Sequence, residues 1–198
     1  MNQLRTYILV IVVLLSALWA GCGPPTQIYI NEQADFGFYE KVGMTPFSNL
    51  TSERSAAEKV ASSFTTSLLM QNVVETAAPG DFLRTFREFV KGDRMNIAEE
   101  LTAEEVINMG KAAGVQGIFA GAVREYGLSR VGSEEFPLVG VTIRFFDCQS
   151  GKVVWSFETT RRGGPGFPVV SFGETHTLGD LTTKITRQAA EKFAAAVK

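Results

Sequence analysis

The chain of 198 residues has little with which to build a catalytic or metal centre. Histidine occurs once, as His176 in GETHT. Without a second histidine a zinc site would need unusual ligands, and His176 reads as a surface or helix-start residue. VVSFG, around Ser171, lacks the first glycine of a G-x-S-x-G nucleophile elbow, so no triad forms around it. GGPGFP has glycines but no following Lys-Ser/Thr, so it is not a phosphate-binding loop. Glu134 and Glu135 adjoin; on a strand they would point to opposite faces and fail to converge as an acid–base pair. The expectation is a protein that is not an enzyme and uses no cofactor.

Positive charge is not in excess either. Nineteen Lys and Arg against 21 Asp and Glu give a formal charge of −2, with no basic stripe to neutralise phosphates. Nucleic acid is therefore not an expected partner. The sequence holds no block of like charge and no internal repeat. Cysteine occurs twice, at Cys22 and Cys148. Cys148 sits in FDCQSGK with no base, metal-ligand spacing or basic cluster, and reads as a small turn residue. The apolar block Tyr7–Ala20, interrupted only by Ser16, rises roughly 21 Å as a helix, short of a bilayer's ~30 Å hydrocarbon core.

That block follows the single charge Arg5 and ends in small residues, the arrangement of a secretory signal. Residues 1–21 are thus expected as a signal peptide. LWAGC resembles a bacterial lipobox, with Ala20 and Gly21 before Cys22, although Trp19 stands where an aliphatic residue is usual. The resemblance implies that Cys22 becomes an acylated amino terminus, carrying palmitate or a similar chain, and anchors the protein to a membrane. The alternative is a cysteine left inside an ordinary signal peptide. Gly23, rather than aspartate, follows Cys22; by analogy with enterobacterial lipoprotein sorting this favours the inner leaflet of the outer membrane, facing the periplasm. If Cys22 carries lipid, Cys148 has no disulfide partner.

Residues 22–40 are expected as the lipidated terminus and a tether, with a coil reach of roughly 25 Å. Within it Ile28, Tyr29 and Ile30 could pair as a short edge strand. Residues 41–198 are expected as one α/β (α+β) domain in the order β-α-β-α-α-β-β-β-α: a single mixed sheet of about five strands in one layer pair with amphipathic helices. KVGMTPF is the first strand, ended by Pro46, and SNLTS a loop. Ala57, Val60, Phe64 and Leu68 mark a helix, with Ser55 and Glu58 as a capping box. NVVETA is a strand; Pro79 and Asp81 open a helix bearing Phe82, Phe86 and Phe89; Thr102 and Glu105 cap another, which Gly114 ends. VQGIFAGAVREYGL is a strand whose small residues let a helix pack close. FPLVGVTIRFFD and KVVWSFETT form a hairpin, and a helix from about Thr177 to Val197 closes the chain.

KVGMTPFSNLTSERSAAEKVASSFTTSLL, MGKAAGVQGIFAGAVREYG and VTIRFFDCQSGKVVWSFE, taken in order, resemble the CsgG/LpoB-type domain. That group includes the curli secretion channel lipoprotein, lipoprotein activators of penicillin-binding proteins and, more distantly, the amino-terminal domain of the Tol translocation protein TolB. The resemblance implies an interaction module that docks on a cell-envelope complex and stabilises or activates it, or a homo-oligomeric subunit of an outer-membrane secretion channel. The loop from Gly163 to His176 mixes four glycines and two prolines with apolar side chains. Arg161, Arg162, Phe167 and Phe172 are the candidate partner contacts there; a sheet-edge padding role is the other reading.

Overall fold

The computed structural model describes residues 26–92, 100–164 and 175–198. The signal segment, Cys22, Phe167 and Phe172 lie outside the described residues. The strands are β1 (Gln27–Ile30), β2 (Lys41–Met44), β3 (Ser48–Asn49), β4 (Glu75–Thr76), β5 (Gly117–Val131), β6 (Glu134–Asp147) and β7 (Val153–Arg162). The helices are α1 (Ala56–Gln71), α2 (Pro79–Phe89), α3 (Ala103–Ala113) and α4 (Leu178–Val197), with a 3-10 turn at Phe36–Phe38.

The fold is mixed α+β on one sheet, ordered β1-β7-β6-β5-β2-β4, with β3 also paired to β5. β5, β6 and β7 are antiparallel, as their tight turns require, whereas β2, β3 and β4 join in parallel through helical crossovers. Seven strands appear where about five were expected. One strand beyond the five is β1, the short edge strand that Ile28, Tyr29 and Ile30 could form, which pairs antiparallel with β7 inside the segment expected as tether. The other is β3: Ser48 and Asn49 of the expected loop continue the line of β2 along β5 after the break at Pro46. Conversely, NVVETA contributes only Glu75–Thr76.

One expectation fails in architecture. Helices cover both faces of the sheet rather than one. On one face Phe119, Ile143, Phe145, Trp155 and Phe157 pack with α1 and α4 through Phe64, Ile185 and Phe193. On the other, Ile118, Ala120 and Phe146 pack with α2 and α3 through Phe82, Phe86, Val106 and Met109. Residues 117–123 of β5 are accordingly buried without a break, the pattern of a strand covered on both sides.

Ser55 precedes α1 but makes no capping bond; its hydroxyl donates to the Glu53 carboxylate at 2.6 Å. Ser55 takes bridge-region angles there, φ −95° and ψ 3°, instead of the extended backbone that aims a capping oxygen at the first turn. Thr102 is extended and does form the box: its hydroxyl accepts from the Glu105 amide, and Glu105 accepts from the Thr102 amide at 2.8 Å. Gly114 ends α3 at φ +64°, a left-handed residue. The glycines of β5 admit rings, not a helix. A Cβ on Gly117 would sit 2.0 Å from Phe145 Cζ, and one on Gly121 would sit 2.8 Å from Phe47 Cε2.

Candidate functional site

β1 is the outer margin of the sheet and the most exposed apolar strand of the fold. Ile28, Tyr29 and Ile30 keep 38%, 50% and 44% of their surface in solvent. The Asn31 amide donates to the Val154 carbonyl at 2.8 Å, which sets the alternation of the ladder. Residues 27, 29 and 31 therefore bond inward to β7, and the N–H and C=O groups of Ile28 and Ile30 face outward. No proline or lysine sits on β1 to block pairing. Among the described residues this outer ladder is unpaired, and with the exposed isoleucines it can accept another polypeptide. The strand is held from inside, because Phe36 and Tyr39, just after it, are buried against Phe193 and Phe145 at 6.3 and 4.8 Å between ring centroids.

Of the four contact residues expected from the sequence, the described pair separates. Arg161 and Arg162 are successive on β7, opposite Val139 and Leu138, so their side chains leave opposite faces of the sheet. Arg161 is half-buried and donates to the Thr26 hydroxyl at 3.3 Å; that hydroxyl also lies 3.2 Å from the Thr159 hydroxyl. Arg161 thus ties down the start of β1, while Arg162 is exposed. Sequence reasoning did not find the role of β1 as a surface, although IYI between polar residues carried the signal.

The chemistry available is quiet. Cys148 is buried, its Cβ and Sγ fill the space beside Gly110, and burial followed by the Asp147 charge pushes its thiol up to about 12. Such a thiol is not a nucleophile at neutral pH. Burial, then the Asp147 carboxylate through its charge and hydrogen bond, raises the Tyr39 phenol well above its ordinary value. His176 is exposed, directly before Thr177, whose hydroxyl accepts from the Asp180 amide to open α4. Glu134 starts β6 and Glu135 pairs with Arg130 at 3.2 Å, so the two carboxylates do not converge. Among the described residues no cluster of three or more metal-ligating side chains is found, and no helix is long and apolar enough to cross a membrane.

No protein-family model matches the chain, and no curated protein matches it. Solved structures do. The PelC dodecamer from Paraburkholderia phytofirmans is 18% identical, with TM-score 0.58 over 86% of this chain and 96% of PelC. Lipoprotein GNA1162 from Neisseria meningitidis is also 18% identical, with TM-score 0.52 over 77% of this chain and 99% of its own. The LpoB C-terminal domain from Salmonella enterica superposes more loosely, at 11% identity and TM-score 0.47 over 66% of this chain and 87% of that domain. At these identities the first two likenesses are likenesses of fold. A fold shared with a bacterial lipoprotein, as the three motifs led one to expect, is met at that level; a likeness to the curli channel is not shown.

Proposed function

We propose that this chain is a lipid-anchored protein of the bacterial envelope, held at the outer membrane and facing the periplasm, that docks on an envelope complex and stabilises or activates it. The observation that supports this most is the position of β1. Only four residues, Gly23 to Thr26, separate Cys22 from Gln27, and five extended steps span at most about 17 Å. A lipid on Cys22 therefore holds the exposed edge of the sheet within about 17 Å of the acylated residue, closer than the 25 Å coil expected from sequence. The anchor and the pairing edge act at one place, beside the bilayer. Arg162 lies at the end of β7 beside the start of β1, and with Phe167 and Phe172 remains a proposed contact set.

A second reading has a specific observation behind it. The dodecameric state of PelC goes with a fold this chain shares. This chain has exposed apolar groups at both margins of the sheet: Ile28 and Ile30 on β1, and Leu69 and Met70 at the end of α1. Leu69 lines a surface hollow with Glu75 and Thr76 of β4. Unlike patches that fit head to tail close a ring. A membrane-spanning barrel wall fits less well, because the tip of the β5–β6 hairpin carries Arg130, Glu134 and Glu135.

Metabolic labelling with an alkyne fatty acid tests the anchor. Wild type is expected to be tagged and to fractionate with outer membrane, and Cys22→Ala to be untagged and soluble; equal tagging would refute it. Light scattering of detergent-extracted protein separates the readings, a single ring-sized species supporting assembly and a monomer supporting docking alone.

A further inference from the structure

β3 lies at a second opening in the edge of the sheet. Its strand partner among the described residues is β5 alone. The Leu50 amide donates to the Val123 carbonyl at 2.9 Å, so the alternation of a parallel ladder turns the N–H and C=O of Asn49 away from β5. On that side β4 covers only Lys41 and Val42 of β2. Beyond β4 a groove of about 540 Å³ opens between α1 and α2, with Ser48 and Asn49 along its floor. The two helices belong to cores on opposite faces of the sheet, so the groove lies where the two layers part.

Its lining has one chemical character. Ala57 and Ala61 of α1 face Leu83 of α2 as apolar walls. Arg54 and Arg87 stand exposed on the groove, and neither makes an ion pair among the described residues. Among the described residues Glu58 is the one carboxylate on the groove, leaving one net positive charge. Asn49 fixes the approach to Arg54: its amide group donates to the carbonyls of Glu53 and Arg54 at 2.8 and 3.2 Å. Ser48 is 2% exposed and its hydroxyl has no hydrogen-bond partner among the described residues.

We propose that this groove binds an extended peptide segment of a partner protein, which adds to the sheet along the outer edge of β3 and places one carboxylate between Arg54 and Arg87. Backbone pairing to Asn49 supplies the direction of the segment, the alanine and leucine walls take an apolar side chain, and the paired guanidiniums select the charge. The outward N–H and C=O of Asn49 can pair with a peptide backbone and find no matching ladder in a lipid headgroup, which favours a peptide. The carboxylate can be an Asp or Glu side chain or a chain terminus. The inference extends the reading as an interaction module and does not depend on lipid at Cys22.

The test is to pan displayed linear heptapeptides against the full chain in detergent micelles, then to measure synthetic copies by fluorescence anisotropy. Enriched peptides are expected to carry an acidic group. Comparing free with amide-blocked carboxyl termini shows whether the side chain or the terminus supplies it. Arg54→Ala and Arg87→Ala are each expected to weaken binding about tenfold. Both positions are exposed, so melting should not change. N-methylation is expected to abolish binding at the one peptide amide opposite Asn49 and to be tolerated at the others. The proposal is overturned if no acidic preference emerges, if the arginine variants bind as wild type does, or if no single N-methylation blocks binding. It is equally overturned if phosphatidylglycerol vesicles, and no peptide, bind through these arginines. Fatty-acid labelling at Cys22 is a separate readout, so failure of the anchor and failure of the groove are distinguishable.

Discussion

Truncating Phe193 to alanine tests whether α4 is fastened to the sheet in the manner described. Phe193 is fully buried, and its ring meets Phe119 at 4.8 Å, Phe145 at 4.9 Å and Trp155 at 5.5 Å, each edge-on. Phe→Ala in a core costs about 3–5 kcal/mol, and each edge-on aromatic pair adds roughly 0.5–1.5 kcal/mol beyond area. These three pairs, with a fourth edge-on pair to Phe36 at 6.3 Å, place the loss near the top of that range, about 5 kcal/mol. Since domains of this size are stable by about 5–15 kcal/mol, Phe193→Ala is expected to be marginal or unfolded at 37 °C. Phe193→Leu, which keeps most of the volume and loses the ring contacts, is expected to cost about 1–2 kcal/mol. Met70→Ala on α1, 77% exposed, is the control and should stay within about 0.5 kcal/mol. Urea unfolding followed by Trp155 fluorescence gives all three from one assay. A loss below about 1.5 kcal/mol for Phe193→Ala, with an unchanged m-value, would refute this account of the core.

Three further outcomes follow from the same packing. Gly117→Ala places a Cβ 2.0 Å from Phe145 and is expected to cost about 2–3 kcal/mol, whereas Gly127→Ala, with nothing within 4 Å, stays within about 0.5 kcal/mol by thermal denaturation. The raised Cys148 thiol holds its proton in the folded state and loses it on unfolding, so its contribution is complete below pH 9 and is lost as pH rises toward 12. Each pH unit in that window costs about 1.4 kcal/mol through this one proton, and Cys148→Ala should flatten the decline, seen as the pH slope of the urea midpoint. Tyr39, raised likewise, steepens the fall above about pH 10. Replacing Ile28 and Ile30 with lysine on β1 should leave the melting temperature within a degree or two while abolishing capture of partner or of a second copy, measured by light scattering and co-purification.

Long periodic runs were legible in the sequence because their pattern is local. The alternation of Val139, Val141, Ile143 and Phe145 gave β6, the spacing of Leu181, Ile185, Ala189 and Phe193 gave α4, and Thr102 with Glu105 gave a formed capping box. The misses are long-range. Nothing in KVGMTPF shows that Gly43 must leave room for Phe82 on the far face, so the second helix layer stayed hidden. The two-residue strand β3 exists only through pairing with β5, which no periodicity over two residues can signal, and only the pairing with β2 trims the strand expected over NVVETA to β4. The candidate site behaved similarly. Arg161 looked like a surface charge until its bond to Thr26 placed it beneath β1, and Asn49 looked like a loop residue until the ladder turned its backbone outward.

The most direct measurement replaces Tyr29 with a photo-crosslinking amino acid in intact cells and compares wild type with Cys22→Ser. The proposed anchoring predicts one defined protein adduct under light, lost or greatly reduced in Cys22→Ser, since a lipid on Cys22 would hold β1 beside the membrane. An adduct to lipid alone, or a protein adduct of equal yield without the cysteine, would contradict it.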